Sequence, residues 1–261
     1  MPDALHVAKT GLNALQQKMS VISNNLANVN TLGFKRDRAN FETLLYQNVR
    51  DAGAQTSQST QLPSGFEVGT GVRIVSTDKL YNQGNIVNTE NSLDMTVDGA
   101  GFFQVLMPNG QISYTRAGNF TKNSTGQIVT PSGYPMEPAI TIPPNATSVN
   151  ISGDGIISVA IPGQTKLQQV GQIETATFPN NAGLKAMGEN FLMATSSSGD
   201  PVVAAPGTGG NGKLLQGSLE SSNVNVVEEL VNMIETQRAY EVNSKAISAV
   251  DGMMRFLTQN I

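Results

Sequence analysis

The chain has 261 residues, long enough for two compact regions, and an apolar content of 39% that can support a core. Charged residues make up only 14%, the net charge is −4 and the pI is near 5.0, a balance that argues against a nucleic-acid partner. Cysteine is absent, which excludes disulfides and thiolate metal sites, and no apolar run is long enough for membrane insertion.

Leu5, Ala8, Leu12, Leu15, Met19, Ile22, Leu26 and Val29 follow one another at alternating spacings of three and four. That spacing predicts one amphipathic helix over residues 3–29, roughly 40 Å long, with a left-handed helix–helix seam. Asn28 to Asn30 end it, and Gly33 supplies the permissive backbone for the exit. Residues 1–50 carry a net charge of +3, and residues 219–261 carry −3. The two ends are therefore mildly complementary, which bears on pairing specificity. Ser23, Asn24, Asn25 and Asn28 are small neutral polar groups that must be paired if buried.

Residues 51–71 have few apolar anchors, and Pro63-Ser64-Gly65 marks a turn, so this stretch is expected as a loop or extended arm. From about residue 72 to 200 the pattern changes to short β runs: Val72–Val75, Leu93–Val97, Phe102–Met107, Ile112–Thr115, Ile128–Thr130 and Ile156–Ile161. Pro108-Asn109-Gly110, Asn123-Ser124-Thr125-Gly126 and Gly153-Asp154-Gly155 read as the turns between them. Ser196–Gly212, rich in Gly, Ser and Pro, is expected as a return linker. A second helix is predicted from Asn225, with Asn225 and Glu228 spaced as a capping box and Glu228 and Glu229 at the positive end of its dipole. Its apolar residues fall on two stripes, one with Val226, Leu230, Met233, Tyr240, Ile247 and Met254, the other with Val242, Ala246, Val250, Met253 and Leu257. Two stripes mean contact on more than one side. Long helices draw most of their stability from packing an apolar face, so both termini are expected to fold on assembly with other copies, the alternative being an intramolecular coiled-coil stalk under a β head.

The expected fold class is α+β: long coiled-coil-like terminal helices packed together, an antiparallel β-rich middle domain and an extended arm. The expected organisation is an N-terminal inner-core helix over 1–34, an arm or linker region over 35–75, and a β-rich outer domain over 76–205. A return linker over 206–224 and a C-terminal inner-core helix over 225–261 complete it. The assembly interface is expected to use Leu5, Ala8, Leu12, Leu15, Met19, Ile22, Asn24, Asn25, Leu26 and Asn28 on the first helix. On the second it is expected to use Val226, Leu230, Met233, Ile234, Tyr240, Ile247, Val250, Met254 and Leu257. Leu62, Pro63, Gly65 and Phe66 are the expected arm contacts.

Chemistry finds little support. Gly207 to Lys213 has the glycine and lysine spacing of a phosphate loop, but Leu214 stands where a Ser or Thr is needed and no apolar strand leads in. His6 is the single histidine, so one copy can build neither a His-based metal cluster nor a Ser-His-Asp triad. Asp94 and Asp98 share a strand face as a glycosidase pair might require, yet they flank glycine turns and are expected to make turn hydrogen bonds. No catalytic residue, metal or cofactor is expected.

Several runs together resemble the bacterial flagellar rod and hook family. They are Ser23-Asn24-Asn25-Leu26-Ala27-Asn28 followed by Thr31-Leu32-Gly33-Phe34-Lys35, and Asp98-Gly99-Ala100-Gly101-Phe102-Phe103-Gln104-Val105. Tyr114-Thr115-Arg116-Ala117-Gly118-Asn119-Phe120, Gly126-Gln127-Ile128-Val129-Thr130, Ser222-Asn223-Val224-Asn225 and Met233 to Lys245 complete the set. The resemblance covers essentially the whole chain, and the length and the arm from Gln55 to Gly71 are similar to its distal-rod branch. It implies a non-enzymatic subunit of a hollow, helical, self-polymerising drive shaft, with terminal helices lining the tube and the β domain forming the outer wall. Implied partners are other copies, proximal-rod and hook proteins at the ends, outer-ring bushing proteins, and the rod cap and export apparatus during assembly. The implied location is the flagellar basal body, from the periplasm to the outer membrane. The N-terminus lacks a basic segment followed by an apolar one, so export without a cleavable signal peptide is expected. A hook or proximal-rod subunit is the alternative within the family, and a β-domain carbohydrate-acting enzyme is the rival outside it.

Overall fold

The computed structural model describes residues 2–52, 55–57, 60–61, 63–163 and 166–259, with side chains for 5–52, 63–163 and 166–256. A long helix opens the chain, a second closes it, and the span between them is β-rich, which is an α+β architecture. The chain divides into two units: unit 1 contains residues 1–27, 37–78 and 225–261, and unit 2 contains residues 28–36 and 79–224.

In unit 1, helix α1 (Pro2–Ala27) packs against helix α2 (Val226–Gln259). The expected amide cap is in place on α2: the Val227 and Glu228 N–H groups donate to Asn225 Oδ1 at 3.0 and 3.4 Å. Gly11 of α1 faces Asn243 of α2, where a Cβ would come within ordinary contact distance of Asn243 Nδ2, at 3.4 Å. The rest of unit 1 is a ribbon. Asp37–Thr43 pairs with Val72–Lys79, Tyr46–Arg50 with Phe66–Gly69, and Gln55–Ser57 with Thr60–Gln61. The arm expected from the lack of apolar anchors is thus an antiparallel two-stranded extension. Its root lies on α1, where the Val72 N–H donates to Thr10 Oγ1 at 3.4 Å.

In unit 2, a seven-stranded sheet runs in the order Lys185–Gly188, Phe191–Met193, Ile112–Thr115, Phe102–Leu106, Thr175–Thr177, Val202–Ala204, with Met136–Glu137 also pairing to Phe102–Leu106. Successive strand residues point to opposite faces, so adjacent phenylalanines serve two cores. Phe103 packs with Met95, Val105, Phe120 and Ile157, and Phe102 packs with Tyr114, Phe178 and Leu192. A sheet covered on both faces explains why Phe102 to Val105 is buried without a polar alternation. The three expected turns join strands, and Gly110, Gly126 and Gly155 have φ of 79°, 83° and 83°.

Two stretches read as linker carry strands instead. Val202–Ala204 forms a sheet edge, while Lys213–Gln216 pairs with Met95–Asp98 and Ser218–Glu220 with Ile86–Asn88. Gly, Ser and Pro punctuation hid these short runs because it flanks each of them closely.

Candidate functional site

The heptad residues of α1 lie toward packed surface: Ile22 is buried, while Leu5, Ala8, Leu12, Leu15, Met19 and Leu26 are half-buried. Ala14 and Asn25, beside that seam, are buried as well. Asn25 is engaged within the chain, its Nδ2 donating to the Asp37 carbonyl at 2.9 Å and its Oδ1 accepting the Asp37 N–H at 2.8 Å. Asn24 is exposed, and Asn28 is half-buried and accepts the Thr31 hydroxyl at 3.1 Å.

Helix α2 presents two faces. Glu229, Met233, Thr236, Asn243, Ile247, Val250 and Met254 form the buried or half-buried ridge. A second apolar stripe, Val227, Leu230, Val231 and Ile234, is 43–69% exposed, and Val226, Tyr240, Val242, Met253 and Phe256 are exposed too. On the ribbon, Pro63, Gly65 and Phe66 are exposed, as are Leu45, Tyr46 and Val49. Leu62 and the Leu257 side chain lie outside the described residues.

Unit 2 holds a buried charge cluster drawn from three distant segments. Gly33, at φ 67°, passes so close to the Arg116–Ala117 peptide that a Cβ would lie 2.7 Å from the Ala117 nitrogen. This turn delivers Lys35, whose ammonium donates to Glu220 Oε1 at 2.6 Å and to the Asn82 carbonyl at 2.8 Å. Arg116 Nε lies 3.3 Å from Glu220 Oε2, and its terminal nitrogens donate to the Gly101 and Gly99 carbonyls at 2.8 and 2.7 Å. The Gly84 N–H completes the cradle on Glu220 Oε1 at 2.8 Å. Burial pushes the Lys35 ammonium below its ordinary value against the pull of Glu220, and it lowers Arg116 in the same way. Losing Glu220 would leave two buried cations without a counter-charge, and breaking a buried pair in this way costs about 3–5 kcal/mol. Sequence reading picked out Lys35 and Arg116 only as motif residues and missed Glu220. The carboxylate stands 185 positions from its lysine, and no local pattern links them.

Among the described residues the chemical alternatives find no geometry. Asp94 accepts the Thr89 hydroxyl at 2.6 Å and the Asn91 amide at 2.9 Å, the turn bonding expected of it. The glycines from Gly207 form a tight turn anchored by Asn211, whose Nδ2 donates to the Thr175 and Ala204 carbonyls. A strand follows that turn, where a phosphate loop needs a helix N-terminus. His6 lies exposed on α1.

Three family models match the chain in order along it. They are described as "Flagella basal body rod protein" over residues 5–35, "Flagellar hook protein FlgE/F/G D1 domain" over 96–159, and "Flagellar basal body rod FlgEFG protein C-terminal" over 215–260. A flagellar basal-body rod protein FlgG from Buchnera aphidicola subsp. Schizaphis graminum is 54% identical over 99% of this chain and all of its own length. One from Buchnera aphidicola subsp. Acyrthosiphon pisum is 53% identical over the same shares. A third, from Caulobacter vibrioides, is 47% identical over 98% of each chain. The charge cluster draws Lys35 from the first matched segment, Arg116 from the second and Glu220 from the third. The chain belongs to the FlgG family of flagellar basal-body rod proteins.

Proposed function

We propose that this chain is a distal-rod subunit that polymerises into a hollow, rigid helical shaft, transmitting torque to the hook and conducting exported subunits through its bore. Family membership makes it a structural protein of the flagellar basal body and not an enzyme. The observation that supports polymerisation most directly is the apolar face left open on α2. With one side of that helix already against α1, Val227, Leu230, Val231 and Ile234 remain 43–69% exposed. Exposed apolar surface of this kind is covered in a stable assembly, and the occupant is the equivalent helical region of further copies. On this reading α1 and α2 form coiled-coil-like contacts in an inner core, through the seam residues from Leu5 to Leu26 and both stripes of α2. The ribbon, with Phe66 and Tyr46 exposed, reaches neighbouring copies and stiffens the shaft against bending. The remaining partners are the proximal-rod and hook proteins at the two ends, the ring proteins that serve as bushing, and the rod cap and export apparatus during assembly. The shaft lies in the periplasm and reaches the outer membrane.

The test is the double substitution Leu230→Asp with Ile234→Asp. Both side chains are exposed in the single chain, so circular dichroism of the soluble protein is expected to match the parent. Sedimentation and electron microscopy are expected to show no filaments at ten times the concentration at which the parent polymerises. Filaments forming at the parental concentration would remove this face from the assembly.

A further inference from the structure

The backbone passes between the two units four times, after Ala27, Arg36, Asp78 and Val224. A single peptide crossing has two soft dihedrals per residue and swivels freely. Within unit 2, however, three of these passages are bonded sideways. The Asn223 side chain accepts the Arg36 N–H on Oδ1 at 2.8 Å and donates from Nδ2 to the Leu80 and Asn82 carbonyls at 2.8 and 3.0 Å. Its own N–H donates to the Phe34 carbonyl at 3.4 Å, and the Leu80 N–H donates to the Arg36 carbonyl at 2.8 Å. Three residues earlier, the Glu220 carbonyl accepts the Gly33 N–H at 2.8 Å, while its carboxylate takes the Lys35 ammonium and the Gly84 N–H. The segments around 33–36, 80–84 and 220–223 are therefore each bonded to the other two.

We propose that Asn223, backed by Glu220, is a positioning residue that clamps these three passages into one body and so fixes the directions in which the chain leaves unit 2. The chemistry asks for an amide at this place. Only a group that donates twice and accepts once at the same tip satisfies Leu80, Asn82 and Arg36 together, and a carboxylate of the same size has no donor. The consequence for a drive shaft rests on the rod reading above: within unit 2 the three segments respond to load as one body rather than singly.

The clamp makes a claim that a local hydrogen bond does not, namely that amides with no bond to the Asn223 side chain depend on it. Amide hydrogen exchange on the full soluble chain reads this directly. In Asn223→Asp the Arg36 N–H keeps an acceptor, yet the Leu80 and Gly33 amides are expected to exchange at least tenfold faster, together, while the Gly126 and Gly155 hairpin amides hold their parental rates. Asn223→Ala is expected to give the same coupled pattern with Arg36 added. Acceleration confined to Arg36 in the alanine variant, with Leu80 and Gly33 unchanged, would reduce Asn223 to a local bond and overturn the proposal. Loss of protection at Gly126 and Gly155 in both variants would overturn it too, by making the residue part of the fold's core. Filament formation by the parent chain tests the rod reading separately, and the exchange pattern decides the clamp whether or not filaments form.

Discussion

Lys35 and Arg116, 4% and 6% exposed, share the one carboxylate of Glu220, leaving a buried cluster with an excess of positive charge. The direction in which pH acts on it follows from the lowered Lys35 value, which desolvation sets first and Arg116 reinforces. Between that lowered value and the ordinary 10.5, the unfolded chain binds a proton that the folded chain has released. Stability from this group therefore rises with pH across the window. Burial raises Tyr114, which acts in the opposite sense above its ordinary value, but that contribution is common to parent and variant and cancels in their difference. Urea unfolding of the parent and of Lys35→Met at a series of alkaline pH values is expected to show the parent gaining on the variant as the pH approaches 10.5. A constant difference would mean that Lys35 keeps its ordinary affinity for protons despite its burial. The exit at Gly33 was legible in the sequence, since a glycine supplies the permissive backbone that a helix end needs. The charge cluster was not, because burial and a partner 185 residues away are properties of the closed fold.

Turns show what local chemistry does and does not make readable. Asn109-Gly110 was visible because a glycine adopts positive φ without steric penalty, and the hairpin it closes pairs Ser113 with Val105 and Tyr114 with Gln104. The hairpin between Lys185–Gly188 and Phe191–Met193 was missed. Its two connecting residues are Glu189 and Asn190, at φ 50° and 63°, the left-handed pair of a type I′ turn with a glutamate where asparagine or glycine is favoured. Asn190 is suited to the place and anchors it, donating to the Leu32 carbonyl at 2.6 Å, but Glu189 bears the steric cost of its Cβ. Glu189→Asn is therefore expected to stabilise the chain by up to about 1 kcal/mol, read as a higher urea midpoint with an unchanged slope. A midpoint equal to or below the parent's would show that the glutamate side chain returns more than its backbone costs. The helices carried the opposite lesson. The 3,4 periodicity of α1 was plain in the sequence, but the two apolar stripes expected on α2 do not map onto its two faces: Val226, Leu230 and Tyr240 of the first and Val242 and Met253 of the second are exposed, while Met233, Ile247 and Met254 of the first and Val250 of the second are half-buried. Which stripe turns inward was not legible, since Thr236 and Glu229 are polar and yet are the most buried positions of that helix.

Apolar burial is divided very unequally over the molecule. Among the described residues, unit 1 contributes only Ala14 and Ile22 to the fully buried apolar set, and every other member belongs to unit 2. Two long helices and a two-stranded ribbon with so little interior draw their stability from surfaces they cannot supply alone, because isolated helices and hairpins are marginal in water. Unit 2, with aromatic and branched side chains on both faces of its sheet, holds nearly all of the buried apolar set among the described residues. Local opening reaches a protease before global unfolding does where buried contacts are few. Brief trypsin treatment of the soluble chain is therefore expected to cut first in α2, at the exposed Arg238, Lys245 and Arg255, and to leave residues from about Lys79 to Glu220 intact. In filaments the same three sites are expected to resist, since the apolar stripe beside them is then covered. Equal resistance of α2 and the β-rich unit in the soluble chain would mean that the contact with α1 is sufficient for that helix, and assembly would not then be what completes it. Protection that appears only on polymerisation would tie the exposed face of α2, the thin interior of unit 1 and the formation of the shaft to a single physical cause.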